Sequence, residues 1–160
     1  MKSEKELVKI IKPSKEIFEK IDEYKEIVKQ ILPDSKIELI GSLAIPMIGK
    51  EEFDLLVEVD DVLKSQKTIE EKRSDLFGIG PIIDDEGYVR SKKKFGIICE
   101  LHLLPRNHNK ITNYKNYVRK LKENKEVRLE YENLKLSLNG KEMKYYRQQK
   151  KEFIKKYKLY

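Results

Sequence analysis

Two short segments near residue 50 carry residue types that bind phosphates and metal ions. Gly41 and Ser42 directly follow an apolar segment that is typical of a β-strand. A glycine at the end of a strand lets the backbone approach a phosphate closely, and a serine hydroxyl adds a donor. A second predicted strand, 53–59, begins beside Glu52 and contains Asp54. The turn and the carboxylates together predict a site for a nucleotide and a metal ion.

The two carboxylates have a spacing that suits one cation. Glu52 and Asp54 lie on the same face of the predicted strand, because successive side chains alternate between two faces. A strand rises roughly 3.3 Å per residue, so the two groups are about 7 Å apart. They can jointly hold Mg²⁺, which prefers oxygen ligands and keeps waters that substrate phosphates replace. The alternative is that both are solvent-exposed acids on an edge strand.

A third carboxylate, Glu100, lies in the apolar segment 97–104 and shares a face with His102. If this strand is adjacent to strand 53–59, Glu100 would complete the metal site or act as a base beside it. His102 would then contact phosphate or position Glu100. The alternative is a polar pair on the outward face of the sheet. Cys99 lies on the opposite face and is predicted to be a small core residue.

The composition indicates a single domain in a reducing compartment. The chain has 160 residues, 39% of them charged and 39% hydrophobic, which supports one core. No apolar segment approaches the roughly 20 residues of a membrane span, and the first residues show no apolar targeting segment. The lone Cys99 leaves no internal disulfide. We therefore expect a cytoplasmic protein without membrane contact, and the sequence does not indicate an oligomeric state.

The net charge of +7 is concentrated in residues 141–160, where basic and aromatic residues are interleaved. Basic side chains can follow a phosphate backbone while aromatic rings stack on bases, so this basic C-terminal helix is a predicted contact for RNA. Two alternatives remain. The segment is an amphipathic helix that docks through Tyr146, Phe153 and Tyr157, or its charge reflects a lysine-rich composition without any partner.

The hydrophobic pattern predicts an α+β fold. Helical periodicity covers 3–12 and 14–32, with a break at Pro13 and Ser14 as a candidate N-cap. The remaining predicted elements, in chain order, are a strand at 37–40, the strand 53–59, a helix at 62–77, β structure over 81–104 with a turn at 84–87 and a hairpin tip at 91–94, and two helices after residue 112 that are separated near 138–141. The result is a small mixed sheet with helices before and after it.

The segment from Ile40 to Pro46, together with Lys50 and the segment Phe53 to Val57, resembles the GrpB family. The usual form in that family is H-I-G-S-T-A-V-P-G-L, a lysine, and I-D-I-D/L-V. The resemblance extends from about residue 37 to the C-terminus, and its further motifs lie at 101–105, 116–119, 130–135 and 146–154. It implies one nucleotidyltransferase-type domain, 1–160, with a helical N-terminal extension (1–36), a sheet region (37–104) and C-terminal helices (110–160).

The resemblance also implies a chemistry. In polymerase-β-type nucleotidyltransferases, two Mg²⁺ ions align a nucleoside triphosphate with an acceptor hydroxyl. A Gly-Ser turn, an acid-x-acid strand and a third acid on a later strand form their site. By this resemblance the catalytic, metal-binding residues are Asp54, Glu52 and Glu100. The residues implied to bind the nucleotide or its phosphates are Gly41, Ser42, Lys50, His102, Arg119 and Lys150.

The acid strand can be aligned with the family in two registers. Alignment on Lys50 puts Asp54 at the first acid position and Leu56 at the second, which leaves one carboxylate. Counting from Ser42 instead makes Glu52 and Asp54 the acid-x-acid pair. Two functions follow from these registers. One is a metal-dependent nucleotidyltransferase that transfers a nucleotidyl group from a nucleoside triphosphate to an acceptor, and the other is a non-catalytic nucleotide- or RNA-binding module on a degenerate transferase fold.

Overall fold

The structure, a computed structural model, describes residues 4–160. The strands in this range are β1 (Ile10–Ile11), β2 (Lys36–Ile40), β3 (Gly49–Lys50), β4 (Glu52–Val59), β5 (Phe77–Ile83), β6 (Glu86–Ser91) and β7 (Ile98–Pro105). The α-helices are α1 (Lys15–Ile31), α2 (Val62–Arg73), α3 (Asn109–Glu123), α4 (Lys125–Ser137) and α5 (Met143–Lys156). The predicted α+β class, a mixed sheet between N- and C-terminal helices, is confirmed.

The main sheet has five strands in the order β2-β4-β7-β6-β5. Its two central strands, β4 and β7, are parallel, and the other pairings are antiparallel. The predicted adjacency of the two acid-bearing strands is therefore confirmed, and their register pairs Asp54 with Glu100 and Leu56 with His102. A separate small sheet pairs β1 with β3.

The two faces of the central strands have different roles. Phe53, Leu55 and Val57 are buried on one face, where α1 and α2 cover them and form the main core. The opposite face carries the acids, and beyond Asp54 it also becomes apolar. There Leu56 is fully buried with Ile40, Leu104 and Ile111 of α3. Leu56 therefore separates the acids near Asp54 from Glu58, which lies farther along the same face and pairs with Lys36.

The predicted helix over 3–12 is wrong for the residues that the structure describes. Ile10 instead pairs with Lys50 across the small sheet, and the Val8 N–H donates to the Lys141 carbonyl at 2.8 Å. Pro13 disfavours helical geometry at the residue before it, and a helix this short has little stability of its own. Residue 3 of this prediction, like residues 1 and 2, lies outside the described range. The break at Pro13 is confirmed, and Ser14 caps α1.

The two other helix boundaries that differ from prediction have local causes. The C-terminal region forms three helices rather than two, because Asn124 ends α3 and its side chain accepts a hydrogen bond from the Val127 N–H at 3.1 Å to cap α4. Helix α2 ends at Arg73, before the predicted Phe77. Phe77 is instead the buried first residue of β5, an edge strand in which Pro81 is tolerated.

None of the helices within residues 4–160 combines the length and apolarity that crossing a bilayer requires.

The turn after β2 depends on a glycine. Gly41 has φ of 74° and ψ of −162°, a region that essentially only glycine occupies. A Cβ atom at Gly41 would lie 2.8 Å from Asp54 Oδ2. The turn that leads into Ser42 therefore lies directly against the Asp54 carboxylate because residue 41 has no side chain.

Substitution Gly41→Ala tests this contact. We expect it to cost about 2 kcal/mol or more of unfolding free energy, because backbone strain adds to the clash with Asp54. Gly96→Ala is the matched control, because Gly96 has φ of 97° and ψ of −141° but no atom lies within 4 Å of the position that a Cβ would take there. The control should cost less, since it carries backbone strain of about 1 kcal/mol or more without the clash. Urea unfolding of both variants measures the difference, and equal costs would contradict the close approach.

Candidate functional site

A cleft of about 260 Å³ lies between the acid-bearing sheet face and the C-terminal helices. The Gly41–Ser42 turn lies on one side, and the polar ends of β4 and β7 form its floor. The cleft brings together eight of the nine residues predicted from the sequence: Gly41, Ser42, Lys50, Glu52, Asp54, Glu100, His102 and Lys150.

Arg119 is the predicted phosphate-binding residue that lies elsewhere. It is exposed on α3, where its guanidinium donates to Glu123 at 3.1 Å and to Asn116 at 3.3 Å. It lines a different surface depression beside β2. The helix presents Tyr114 and Tyr117 to the cleft instead, so Arg119 has no part in the site described below.

Asp54, Glu100 and His102 form the cluster that can hold a metal ion. One ligand atom from each residue lies within 4.8 Å of the other two. His102 Nε2 is 2.9 Å from Asp54 Oδ1 and 3.6 Å from Glu100 Oε1. The parallel register of β4 and β7 produces this grouping, because it aligns Asp54 with Glu100 and leaves His102 on the same face.

The other nitrogen of His102 faces a fully buried carboxylate. Nδ1 lies 3.6 Å from Glu86 Oε2 and 3.3 Å from the Tyr114 hydroxyl. Tyr114 donates to Glu86 at 2.7 Å, and the Tyr88 hydroxyl donates to the second Glu86 oxygen. A carboxylate behind a histidine orients the ring and makes it a stronger ligand. Glu86 therefore directs Nε2 of His102 towards Asp54 and Glu100.

These contacts shift the pKa values of the cluster. Burial lowers the pKa of the His102 imidazole, but its bonds with Asp54 and Glu86 outweigh this and raise the pKa to about 10. Burial raises the pKa of the Asp54 carboxyl, yet the hydrogen bond and charge of His102 bring it below its ordinary value. Burial and the charge of Asp54 raise the pKa of Glu100. Without a cation, a protonated His102 therefore neutralises Asp54.

Glu52 lies in the cleft on the same face of β4 as Asp54, as alternation predicts, but its carboxylate is engaged by basic side chains. Its carboxylate forms ion pairs with Lys50 and with Arg90, the latter at 3.2 Å. Arg90 also lies 3.5 Å from Glu100. With both its oxygens engaged by cations, Glu52 anchors Arg90 and Lys50 at the edge of the cleft. His102 is thus the third member of the cluster around Asp54 and Glu100.

Four residues of the site were not identified from the sequence: Glu86, Arg90, Tyr114 and Lys135. Arg90 lies opposite Glu100 in the observed pairing of β6 with β7, whereas the predicted hairpin tip at 91–94 would have placed it opposite residue 95. Glu86 was assigned to the turn over 84–87, but it is the first residue of β6 and is buried there. Tyr114 carries no local signal, since only tertiary packing brings α3 to the cleft, whereas Lys135 belongs to the family-like segment 130–135 but has no role in the predicted site.

Positive charge lies on the side of the cleft opposite the acids. Lys150 and Arg147 of α5 line the cleft, and together with Tyr160 they also line an adjoining groove of about 700 Å³. The remaining groove residues are one isoleucine and three lysines, namely Ile154, Lys151, Lys155 and Lys158. The cleft is therefore acidic at the sheet and continues into a basic groove along α5.

Comparison with known proteins identifies the fold. A family model described as GrpB protein matches residues 7–158. The structure is similar to that of the conserved protein GrpB from Enterococcus faecalis, with a TM-score of 0.72 and 23% identity over 81% of each chain. No curated protein sequence matched the chain.

The fold also resembles that of a nucleotidyltransferase. The Cid1 poly(U) polymerase with MgGTP bound matches with a TM-score of 0.53 and 21% identity, covering 74% of this chain and 41% of Cid1. The Mg 3′-dATP complex of Cid1 gives a TM-score of 0.52 and 18% identity, covering 74% and 40%. At these identities the likeness shows the fold alone, and it confirms the predicted nucleotidyltransferase type. Because the family model spans nearly the whole sequence, the chain belongs to the GrpB family.

Proposed function

We propose that the protein transfers a nucleotidyl group from a nucleoside triphosphate to an acceptor hydroxyl and releases pyrophosphate, with a divalent cation held by Asp54, Glu100 and His102. The observation that carries this proposal is the position of that cluster in one cleft with the Gly41–Ser42 turn. The fold supports it, since Cid1 is a poly(U) polymerase with the same type of fold.

The donor set suits a divalent cation. Two carboxylate oxygens and one imidazole nitrogen lie within 4.8 Å of one another, which is compatible with ligand bonds of about 2.0–2.6 Å to one ion between them. Carboxylates suit Mg²⁺ and Mn²⁺, whereas imidazole favours later transition metals, so the set does not select Mg²⁺ alone. When bound, such an ion stabilises negative charge that develops on the phosphate oxygens.

The chain's own residues would bind and orient the triphosphate. Gly41 allows the backbone to approach a phosphate, and the Ser42 hydroxyl lines the cleft beside it. Lys150 and Lys50 also line the cleft and add positive charge to it, although Lys50 is paired with Glu52. Glu86 would hold the His102 ring in place while the acids face the cation. This division puts phosphates against the turn and the cation against the sheet.

Substitution Asp54→Asn tests the cation site. In the wild type, Mg²⁺ or Mn²⁺ should increase the affinity for a nucleoside triphosphate. In the Asp54→Asn variant we expect this metal-dependent increase to be smaller by about tenfold or more, because the cluster loses its central carboxylate. Isothermal titration with and without the metal measures this. Asp60→Asn is the control, because Asp60 follows β4, is 79% exposed and pairs with Arg106 outside the cleft. An Asp54→Asn variant with the wild-type metal effect would contradict the proposal.

A second function, RNA binding without catalysis, is favoured by two observations. Leu56, which is fully buried, stands where the first alignment register requires the second acid. The basic groove along α5 presents Arg147, Lys150, Lys151, Lys155 and Lys158, and none of these forms an ion pair within residues 4–160. Four of these cations lie on α5 and Lys158 follows it, and such a row of unpaired cations suits a phosphate backbone. The same groove would equally hold an RNA acceptor beside the transferase site.

Removal of three groove charges tests the RNA contact. The triple variant Lys151→Gln, Lys155→Gln and Lys158→Gln should weaken binding of single-stranded RNA and lower the slope of log affinity against log salt by about 2. Filter binding over a salt series measures both. The control has the same net charge and changes the exposed Lys64, Lys67 and Lys72 of α2 to glutamine. Equal RNA binding by the two triple variants would contradict a specific role for α5.

A further inference from the structure

Lys135 is a lysine side chain buried inside the protein. It lies on α4, is 1% exposed, and extends towards the turn after β2. Its Nζ donates to Ser42 Oγ and to the Ile48 carbonyl, the latter at 3.3 Å, and lies 4.4 Å from the centre of the Tyr131 ring. The ammonium group is therefore directly behind the turn that faces the cleft.

No carboxylate neutralises this lysine. Within residues 4–160, no carboxylate oxygen lies within the 4.0 Å of Nζ that defines an ion pair. Burial and the charges of Lys150 and Lys50 hold the pKa of Lys135 well below its ordinary value. Burying a cation without a counter-ion costs several kcal/mol by general estimates, and an apolar side chain of similar size would avoid that cost. Packing alone thus does not explain a lysine here.

The geometry connects Lys135 to the cleft through Ser42. Because Ser42 Oγ accepts from Lys135, the hydroxyl proton of Ser42 remains available to a group in the cleft. A positive donor on the oxygen polarises the O–H bond and makes it a stronger donor. Gly49 provides the room for this pair, since a Cβ there would lie 3.3 Å from Ser42 Oγ and 3.8 Å from Lys135 Nζ.

We infer that Lys135 is a positioning residue for the phosphate chain of a nucleotide, acting through the Ser42 hydroxyl. The inference rests on the proposed function, which puts the phosphates against the Gly41–Ser42 turn. An anion at the turn supplies a counter-ion for Lys135 and so favours its protonated form, and the protonated amine in turn strengthens the Ser42 hydrogen bond to that anion. The ligand class is a di- or triphosphate chain, whichever nucleoside carries it.

Titration with inorganic tripolyphosphate tests the inference, because this probe has no base or sugar. Lys135→Met keeps the length of the side chain and removes its charge, and we expect it to bind tripolyphosphate about tenfold more weakly or worse. Ser42→Ala should lower the affinity for tripolyphosphate by a similar factor. The double variant should bind only slightly more weakly than either single variant, because the two residues act as a unit. The melting temperature of unliganded Lys135→Met should be unchanged or higher.

The control is Lys29→Met, which also removes one lysine charge. Lys29 donates to a backbone carbonyl as Lys135 does, that of Ser35, but it lies on α1, far from the cleft. It should bind tripolyphosphate as the wild type does. If Lys135→Met or Ser42→Ala binds with wild-type affinity, or the two losses simply add, the inference is overturned while the proposed function stands. Should Lys135→Met fail to fold, Lys135→Gln, which keeps a hydrogen-bond donor near Ser42 but removes the charge, takes its place, and tripolyphosphate binding at wild-type affinity by that variant overturns the inference. Wild-type protein that binds neither tripolyphosphate nor nucleoside triphosphate overturns both.

Discussion

The parallel pairing of β4 with β7 is the constraint on which the site depends. Both strands are buried on their core face, so a shift of one residue would move the apolar side chains out of the core and the acids into it. The core thereby enforces the register that aligns Asp54 with Glu100 and sets His102 beside them. Gly41 adds a second constraint, because only a residue without a side chain can bring the turn against Asp54. Packing of apolar residues therefore determines the geometry of a polar cluster.

Charge is distributed across the cleft in a way that matches a metal–nucleotide complex. On the sheet side, Asp54 and Glu100 carry negative charge that His102 and Arg90 partly offset. On the helix side, Lys135 and Lys150 lie near the turn without a carboxylate partner among the described residues. A cation would replace the proton that His102 shares with Asp54, and phosphates would balance the lysines. Among the described residues, the helix side therefore lacks an internal counter-ion, whereas the sheet side has one in His102.

Local patterns predicted the part of the site that lies on adjacent strands. Alternation assigned Asp54, Glu100 and His102 to one face, and family-like motifs supplied the fold, because both signals are local in sequence. Partners that depend on tertiary packing were not predicted: Glu86 was assigned to a turn, and Lys135 reaches Ser42 across 93 positions. The N-terminal helix prediction failed for a related reason, since periodicity over 3–12 carries no information about pairing with β3. The sequence also does not show which acid pairs with basic side chains, because Arg90 and Lys50 come beside Glu52 only in the folded protein.

The central claim is that Asp54, Glu100 and His102 hold a divalent cation beside the phosphate-binding turn. Anomalous diffraction from crystals that contain Mn²⁺ and a non-hydrolysable nucleoside triphosphate analogue tests it most directly. The account predicts an anomalous peak about 2.0–2.6 Å from ligand atoms of these three residues, with the phosphates against Ser42. A peak held by Glu52 instead, or bound nucleotide with no peak and an intact His102–Asp54 hydrogen bond, would contradict it.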